Sequence, residues 1–131
     1  MYRKTYAEVN LDKLGRNLDK IIETYSGYQY YIGVIKNNAY SHGFYIVNEM
    51  IKHGINYLAV ATLEEALEVR KINREVPILI LEPIGIDYLD IAFNNQLTIM
   101  IDDKDYFDKV VDTNLNLKYH LKLDVGMNRL V

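Results

Sequence analysis

The feature that most constrains this chain is a regular alternation of short apolar runs with amphipathic helical stretches. Leu11, Leu14, Leu18, Ile21 and Ile22 recur at helical spacing and predict a helix over 11–25. A β-branched and aromatic run at 30–35 reads as a strand, and 44–53 is helical again, with Gly54 where helices often end. The run 57–61 is a second strand. Thr62, followed three residues later by Glu65, has the signature of a capping box for a helix from Leu63 to about Asn73. Pro77 introduces a strand over 78–81; a weaker helix near 87–94 and a strand at 97–101 follow. Asp102 is placed to cap a helix running to about Val111, and 117–123 reads as a fifth strand.

Strands alternating with helices imply parallel pairing through right-handed crossovers. Several of the strands are almost wholly apolar, as expected when helices cover a sheet. With strand starts roughly 20 to 27 residues apart, the repeat fits a (β/α) barrel of the TIM type. Periodicity alone does not separate this from an open, doubly wound sheet. No Gly-x-Gly-x-x-Gly follows a strand, which weakens the dinucleotide-binding version of that sheet. Five strands do not close an eight-stranded barrel, which takes about 250 residues, and a parallel edge left open is an aggregation hazard. The expectation is therefore an α/β chain whose 131 residues form the N-terminal part of a longer barrel. A small five-stranded α/β domain is the alternative.

Composition excludes several classes of function. A net charge of −3 offers no basic face for nucleic acid. The chain contains no cysteine, so it has neither a disulfide framework nor thiolate metal ligands, and this fits a cytoplasmic location. No apolar run approaches the roughly 18 residues of a membrane helix, and no apolar segment of a signal peptide follows Met1-Tyr2-Arg3-Lys4. The twelve tyrosines are scattered, as barrel or surface residues would be.

Two stretches carry chemistry. In Val34-Ile35-Lys36-Asn37-Asn38-Ala39-Tyr40-Ser41-His42-Gly43 a lone lysine ends an apolar strand and precedes a polar turn. Barrel enzymes place their reactive groups where strands end. A lysine is a poor nucleophile at its ordinary pKa, but burial and nearby cations lower that value, and a neutral amine can form an imine with an aldehyde. The bland reading of Lys36 is a surface lysine with its stem laid over apolar groups. For Tyr40 it is core packing with a satisfied hydroxyl. The second stretch is His120-Leu121-Lys122-Leu123-Asp124-Val125-Gly126-Met127-Asn128-Arg129-Leu130. Along the strand that leads into it, Leu117, Tyr119, Leu121 and Leu123 share one face and Lys118, His120, Lys122 and Asp124 the other. On an edge strand the polar set would simply be solvated. On a barrel strand covered by helices it would point into the barrel.

The first stretch resembles the signature of alanine racemases, the fold-type III enzymes dependent on pyridoxal phosphate (PLP), which typically read Val-Lys-Ala-Asn-Ala-Tyr-Gly-His-Gly. Lys36, Asn38, Ala39, Tyr40, His42 and Gly43 match; Asn37 replaces a usual alanine and Ser41 a usual glycine. The second stretch resembles Lys-x-Asp-Thr-Gly-Met-x-Arg-Leu-Gly. There Lys122, Asp124, Gly126, Met127, Arg129 and Leu130 match, while Val125 and Val131 stand for a usual threonine and glycine. Ala7-Glu8-Val9-Asn10-Leu11-Asp12 is similar to the family's opening, and Leu58-Ala59-Val60-Ala61-Thr62-Leu63-Glu64-Glu65-Ala66 to its second strand-helix junction. The likeness runs in order from roughly residue 6 to 130.

The resemblance implies the N-terminal portion of the PLP-binding barrel domain, with the C-terminal half of the barrel and a β domain not included in residues 1–131. It implies interconversion of L- and D-alanine, supplying D-alanine for the cell wall, through a PLP external aldimine and two bases. Lys36 would hold PLP as an internal aldimine and act as the base for the D-enantiomer. Tyr40 would offer its hydroxyl to the cofactor phosphate. Arg129 would contact the phenolic oxygen of PLP and the substrate carboxylate, for which its planar, permanently charged fork is suited. Lys122 is a candidate for carbamylation, which would make it an anion able to orient Arg129. In the family the second base is a tyrosine of the partner subunit, so a homodimer is expected, and the 131 residues alone should be inactive. His42 and His53 receive no catalytic role, and no metal is expected. Competing readings are a racemase of serine or a basic amino acid, a non-catalytic PLP-binding barrel, and a binding module that inherited the sequence.

Overall fold

The computed structural model describes residues 5–129. Met1 to Lys4, and Leu130 and Val131 at the end of the second motif, lie outside the described residues. Helix α1 (Leu11–Thr24) begins where Asn10 Oδ1 accepts the Lys13 amide at 2.9 Å. Strand β1 (Ile32–Val34) is followed by a left-handed turn over Lys36–Tyr40. A 3-10 turn (Phe44–Ile46) leads into α2 (Val47–Lys52). Then come β2 (Tyr57–Val60), α3 (Leu63–Ile72) and β3 (Ile78–Ile80). A second 3-10 turn (Ile86–Tyr88) opens α4 (Leu89–Asn94), which precedes β4 (Leu97–Ile101), α5 (Lys104–Asp112) and β5 (Lys118–Leu121).

The five strands pair in parallel in the order β1-β2-β3-β4-β5. The order never reverses, so right-handed crossovers carry every connecting helix to the same face. This topology resolves the ambiguity between barrel and doubly wound sheet, because a doubly wound sheet reverses direction at a switch point. The register separates two faces. Gly33, Leu58, Val60, Ile78, Ile80, Leu97, Ile99 and Ile101 face the helices. They pack there with Val47, Met50, Ala66, Val69, Leu89, Ala92 and Val110 in the main core. Ile32, Val34, Tyr57, Ala59, Leu79, Thr98, Met100, Lys118 and His120 form the other, inner face.

The inner face has only a small core of its own, Tyr57, Ala59 and Leu79 with Leu81 against them. On this face Tyr57 donates to Thr98 Oγ1 at 2.7 Å, and the His120 ring lies 5.9 Å from the Tyr57 ring. Tyr119 packs on the opposite side against Phe107 of α5, with ring centres 5.6 Å apart. The expected division of the fifth strand into an apolar helix side and a polar inner side is therefore present.

Several element ends differ from expectation, β1 spanning Ile32–Val34 instead of 30–35 among them, and two of the differences have a clear cause. Helix α5 is capped by Asp103, which is extended and whose Oδ1 accepts the Tyr106 amide at 2.8 Å, and not by Asp102; an N-cap side chain reaches only the amides two or three residues on. Strand β5 ends at Leu121, not Leu123. The Lys122 amide makes a last bond to Ile101 O at 2.8 Å, where β4 itself ends, and the Asp124 carboxylate then folds the backbone into a turn.

A buried cation closes the opposite end of the sheet. Arg70 of α3, 9% exposed, donates to the carbonyls of Asn73, Val76, Asn95 and Gln96. Asn73 and Asn95 cap the C-termini of α3 and α4, whose dipoles offer negative potential to the guanidinium. Sequence reasoning passed over this residue, because nothing in a helical repeat distinguishes an arginine that snorkels from one that is fully enclosed.

Helix α1 is fastened by His53 at the end of α2. His53 Nδ1 lies 2.7 Å from Asp19 Oδ1 and Nε2 3.0 Å from Glu49 Oε1. Gly15 makes room for the ring, since a Cβ there would come within 2.4 Å of it. The hydrogen bond to Asp19 and its charge raise the His53 pKa against a smaller effect of desolvation, with Glu49 adding to the rise. Hydrogen bonds from Lys52 and then His53 lower that of Glu49. Charged His53 thus stabilises the fold fully below its unfolded value of 6.5, and this is lost as pH rises through the higher folded value. The Glu49 contribution is present above 4.5 and is lost as pH falls through its lowered value. Urea midpoints should accordingly decline from pH 6.5 towards pH 8.5, and His53→Gln should flatten this decline. An unchanged slope in His53→Gln would show that the clip does not contribute.

Candidate active site

The C-terminal end of β1 is continued for one residue by Ile35, whose amide donates to Ala59 O at 2.8 Å and whose side chain is in the core. Lys36 comes next and is half-buried. Among the described residues its amine has no hydrogen-bond or ion-pair partner. The partial burial of Lys36 is what a stem laid over apolar groups gives; what sets the residue apart is an amine not committed to a carboxylate among the described residues.

The backbone beyond it is unusual. Asn37, Asn38, Ala39, Tyr40 and Ser41 all have positive φ, from 51° to 70°. They form a turn of left-handed helix built without glycine, a conformation that costs about 1–2 kcal/mol per residue. The turn is held by Ala39 N–H to Ile35 O at 2.8 Å, Ser41 N–H to Asn37 O at 3.2 Å and Gly43 N–H to Asn38 O at 2.9 Å. Asn38 Oδ1 accepts the Phe44 amide, and the Ala39 side chain is buried in the core. Gly43 reverses the path with φ of +89°, where a Cβ would come within 2.3 Å of the Tyr45 ring. His42 Nδ1 lies 2.9 Å from Ala39 O, a structural role. Tyr40 is 55% exposed and its hydroxyl has no described partner, so it is not a packed core residue.

Glu65 reaches this turn from α3. Thr62 Oγ1 accepts the Glu65 amide at 3.3 Å, which is the forward half of the expected capping box. The return half differs: the Glu65 carboxylate accepts the amides of Ala61, at 2.8 Å, and of Asn37. The loops after β1 and β2 are thus joined through one side chain. The residue was visible as a cap, but its second target lies 28 positions away and left no local signal.

At the other edge of the sheet the second motif folds around Asp124. Its Oδ1 accepts the amides of Gly126 and Met127 and its Oδ2 that of Asn128, each at 2.8 Å. These backbone bonds, chiefly that from Gly126, lower its pKa, with a smaller contribution from Lys122. Lys122 is half-buried and continues the inner-face series of Lys118 and His120. Arg129 follows the turn and is exposed.

Lys36, Tyr40, Lys122 and Arg129 therefore share the C-terminal end of the sheet, as expected. They do not form one closed pocket among the described residues. β1 and β5 are the two edges, about 19 Å apart along the sheet at ordinary strand spacing. The inner-face cavity, lined by Tyr30, Ile32, Tyr57, Thr98, Lys118 and His120, lies towards the N-terminal ends of the strands.

Comparison with known proteins is decisive at this point. The model of the family described as alanine racemase, N-terminal domain, matches residues 9–130. The chain belongs to the alanine racemase family. An alanine racemase of Halalkalibacterium halodurans is 33% identical over 98% of this chain and 34% of its own length. One of Clostridium kluyveri is 36% identical over the same shares. The crystal structure of alanine racemase from Bacillus anthracis with bound L-Ala-P superposes with a TM-score of 0.88 at 33% identity, over 99% of this chain and 35% of that one. A histidine racemase from Leuconostoc mesenteroides superposes with a TM-score of 0.82 at 28% identity, over 92% of this chain and 33% of that one. The chain spans about a third of the length of the relatives it matches. Its five strands and helices correspond to the N-terminal part of the alanine racemase barrel domain, which accounts for the helix-free inner face.

The alanine racemase signature has glycine where Ser41 stands at φ +70°. Ser41→Gly should relieve that strain and stabilise the chain by about 1 kcal/mol in urea denaturation. A loss of stability would mean that the serine side chain compensates for its own backbone.

Proposed function

We propose that the full-length protein containing this chain is a PLP-dependent alanine racemase. The observation that carries the proposal is the amine of half-buried Lys36, just beyond β1 and without a partner among the described residues, in a chain of the alanine racemase family. Such an amine fits PLP, because it is available to an aldehyde and is not committed to a carboxylate. When bound there, PLP supplies an electron sink for the carbon that loses its proton.

Each residue of this chain then has a task. Lys36 would hold the cofactor, and its amine would serve as the base that moves a proton at the α-carbon on one face of the substrate. Tyr40, four positions further and across the left-handed turn, is exposed and would offer its hydroxyl to the phosphate. Arg129 would offer its planar fork of donors to the substrate carboxylate and to the phenolic oxygen of the cofactor. Asp124 shapes the loop that carries Arg129 by accepting three successive amides. Racemisation requires a second base on the opposite face. We assign it to a tyrosine of the partner subunit in a cytoplasmic homodimer, so residues 1–131 alone should not turn over.

The test is formation of D-alanine from L-alanine by the full-length protein, with serine and histidine as competing substrates. Lys36→Ala should lower the rate by about a thousandfold or more and prevent borohydride from fixing PLP to the chain. Turnover by the isolated 131 residues would overturn the two-base assignment, and a preference for histidine or serine would overturn the substrate.

Lys122 is proposed to be carbamylated. This would replace a cation beside Asp124 with an anion suited to hold Arg129. Intact-mass and peptide spectra should show the added carbon dioxide on Lys122, and spectra of the unmodified mass alone would exclude it.

A further inference from the structure

The carboxylate of Glu65 has no place in the proposed chemistry, yet it joins the two loops nearest Lys36. We infer that Glu65 is a positioning residue for Lys36, acting as the cap of the left-handed turn that begins immediately after it. The inference rests on the reading of Lys36 as the cofactor lysine and adds to it the residue that fixes its backbone.

Three observations support it. The first is an acceptor deficit. The hydrogen bonds of the left-handed turn begin with the Ala39 amide on Ile35 O, so the Asn37 amide at its start has no acceptor within the turn. Glu65 Oε1 supplies one. Without it, the amide at the first of five positive-φ residues would be left to water, and the turn would lose the bond that ties its start to α3.

The second is the choice of targets. A capping-box glutamate would return to the amide of its own N-cap, here Thr62. Glu65 passes that amide by and takes Ala61, the first residue beyond β2, together with Asn37, the second beyond Ile35. Both lie at the C-terminal end of the sheet. The side chain therefore couples adjacent strand ends as well as starting a helix.

The third is chemical. Both carboxylate oxygens accept, one amide each. An ionised carboxylate is acceptor-only, whereas a glutamine of the same shape can accept through one atom and must donate through the other. Glutamine can serve Ala61 or Asn37 but not both. The isosteric change Glu65→Gln thus tests the bridge without removing bulk. Thr62→Ala, which removes the helix cap on the same α3 and leaves the carboxylate in place, is its control.

The experiment uses the full-length protein in two forms. In the cofactor-free form, amide exchange at Asn37 and Ala61 is measured by NMR. Glu65→Gln should speed exchange at one or both by about tenfold or more, the consequence of losing one charge-assisted bond, and Thr62→Ala should leave Asn37 at its original rate. In the PLP-loaded form, Glu65→Gln should shift the pH midpoint of the absorbance of lysine-bound PLP. It should also lower kcat more than it raises KM, and Thr62→Ala should do neither. Unchanged exchange and an unchanged midpoint in Glu65→Gln overturn the inference, as does an equal effect of Thr62→Ala. If Glu65→Gln does not fold, Glu65→Asp is judged by the same readings, since its shorter reach also breaks the bridge. Borohydride fixation of PLP in Lys36→Ala would instead overturn the reading of Lys36, whatever Glu65 does.

Discussion

The site depends on one costly piece of backbone, the left-handed turn from Asn37 to Ser41. Five residues with side chains occupy a region that L-amino acids avoid. Such a turn persists only where its surroundings over-determine it. Here the Ala39 side chain is locked in the core, Asn38 accepts the Phe44 amide, Gly43 reverses the chain, and Glu65 accepts the first amide. The strain is placed directly after the candidate cofactor lysine, where a freely rotating strand end would otherwise leave the amine undirected. Stability of the surrounding loops and definition of the lysine are the same physical matter.

A second carboxylate does similar work at the other edge of the sheet. Asp124 gathers three amides and ends β5 at Leu121. Both motifs thus pair a site residue with a carboxylate that organises backbone: Lys36 with Glu65, and Arg129 with Asp124. Charge-assisted bonds to main-chain amides are strong and directional, and they define loop shape without using the cationic side chains proposed for the chemistry.

Much of the architecture was legible in the sequence because it follows from period. Alternation of apolar strands and amphipathic helices predicted all five strands, and β4 coincides with its expected limits. Errors collected at element ends. Asp102 and Asp103 are both acceptable caps, and only the position of the Tyr106 amide chooses between them. The fifth strand was drawn two residues too far at its C-terminal end, since Leu123 keeps the alternation although its partner strand has ended. Arg70, Gly15 beneath His53, and the second arm of Glu65 were not legible at all. Each depends on a partner many residues away, and no local pattern records it.

The sequence by itself determined the parallel α/β class, the division of the fifth strand into two faces, and which side chains, Lys36, Tyr40, Lys122 and Arg129, are proposed for the site. Those properties are set by side-chain chemistry and by spacing along the chain. Tertiary structure alone decided that the strand order runs without reversal, so that all helices share one face and the inner face carries none of them. It alone decided that the turn after Lys36 is left-handed, a conformation its residues disfavour locally and accept only because buried contacts and the Glu65 carboxylate, both brought from a distance, outweigh the local cost.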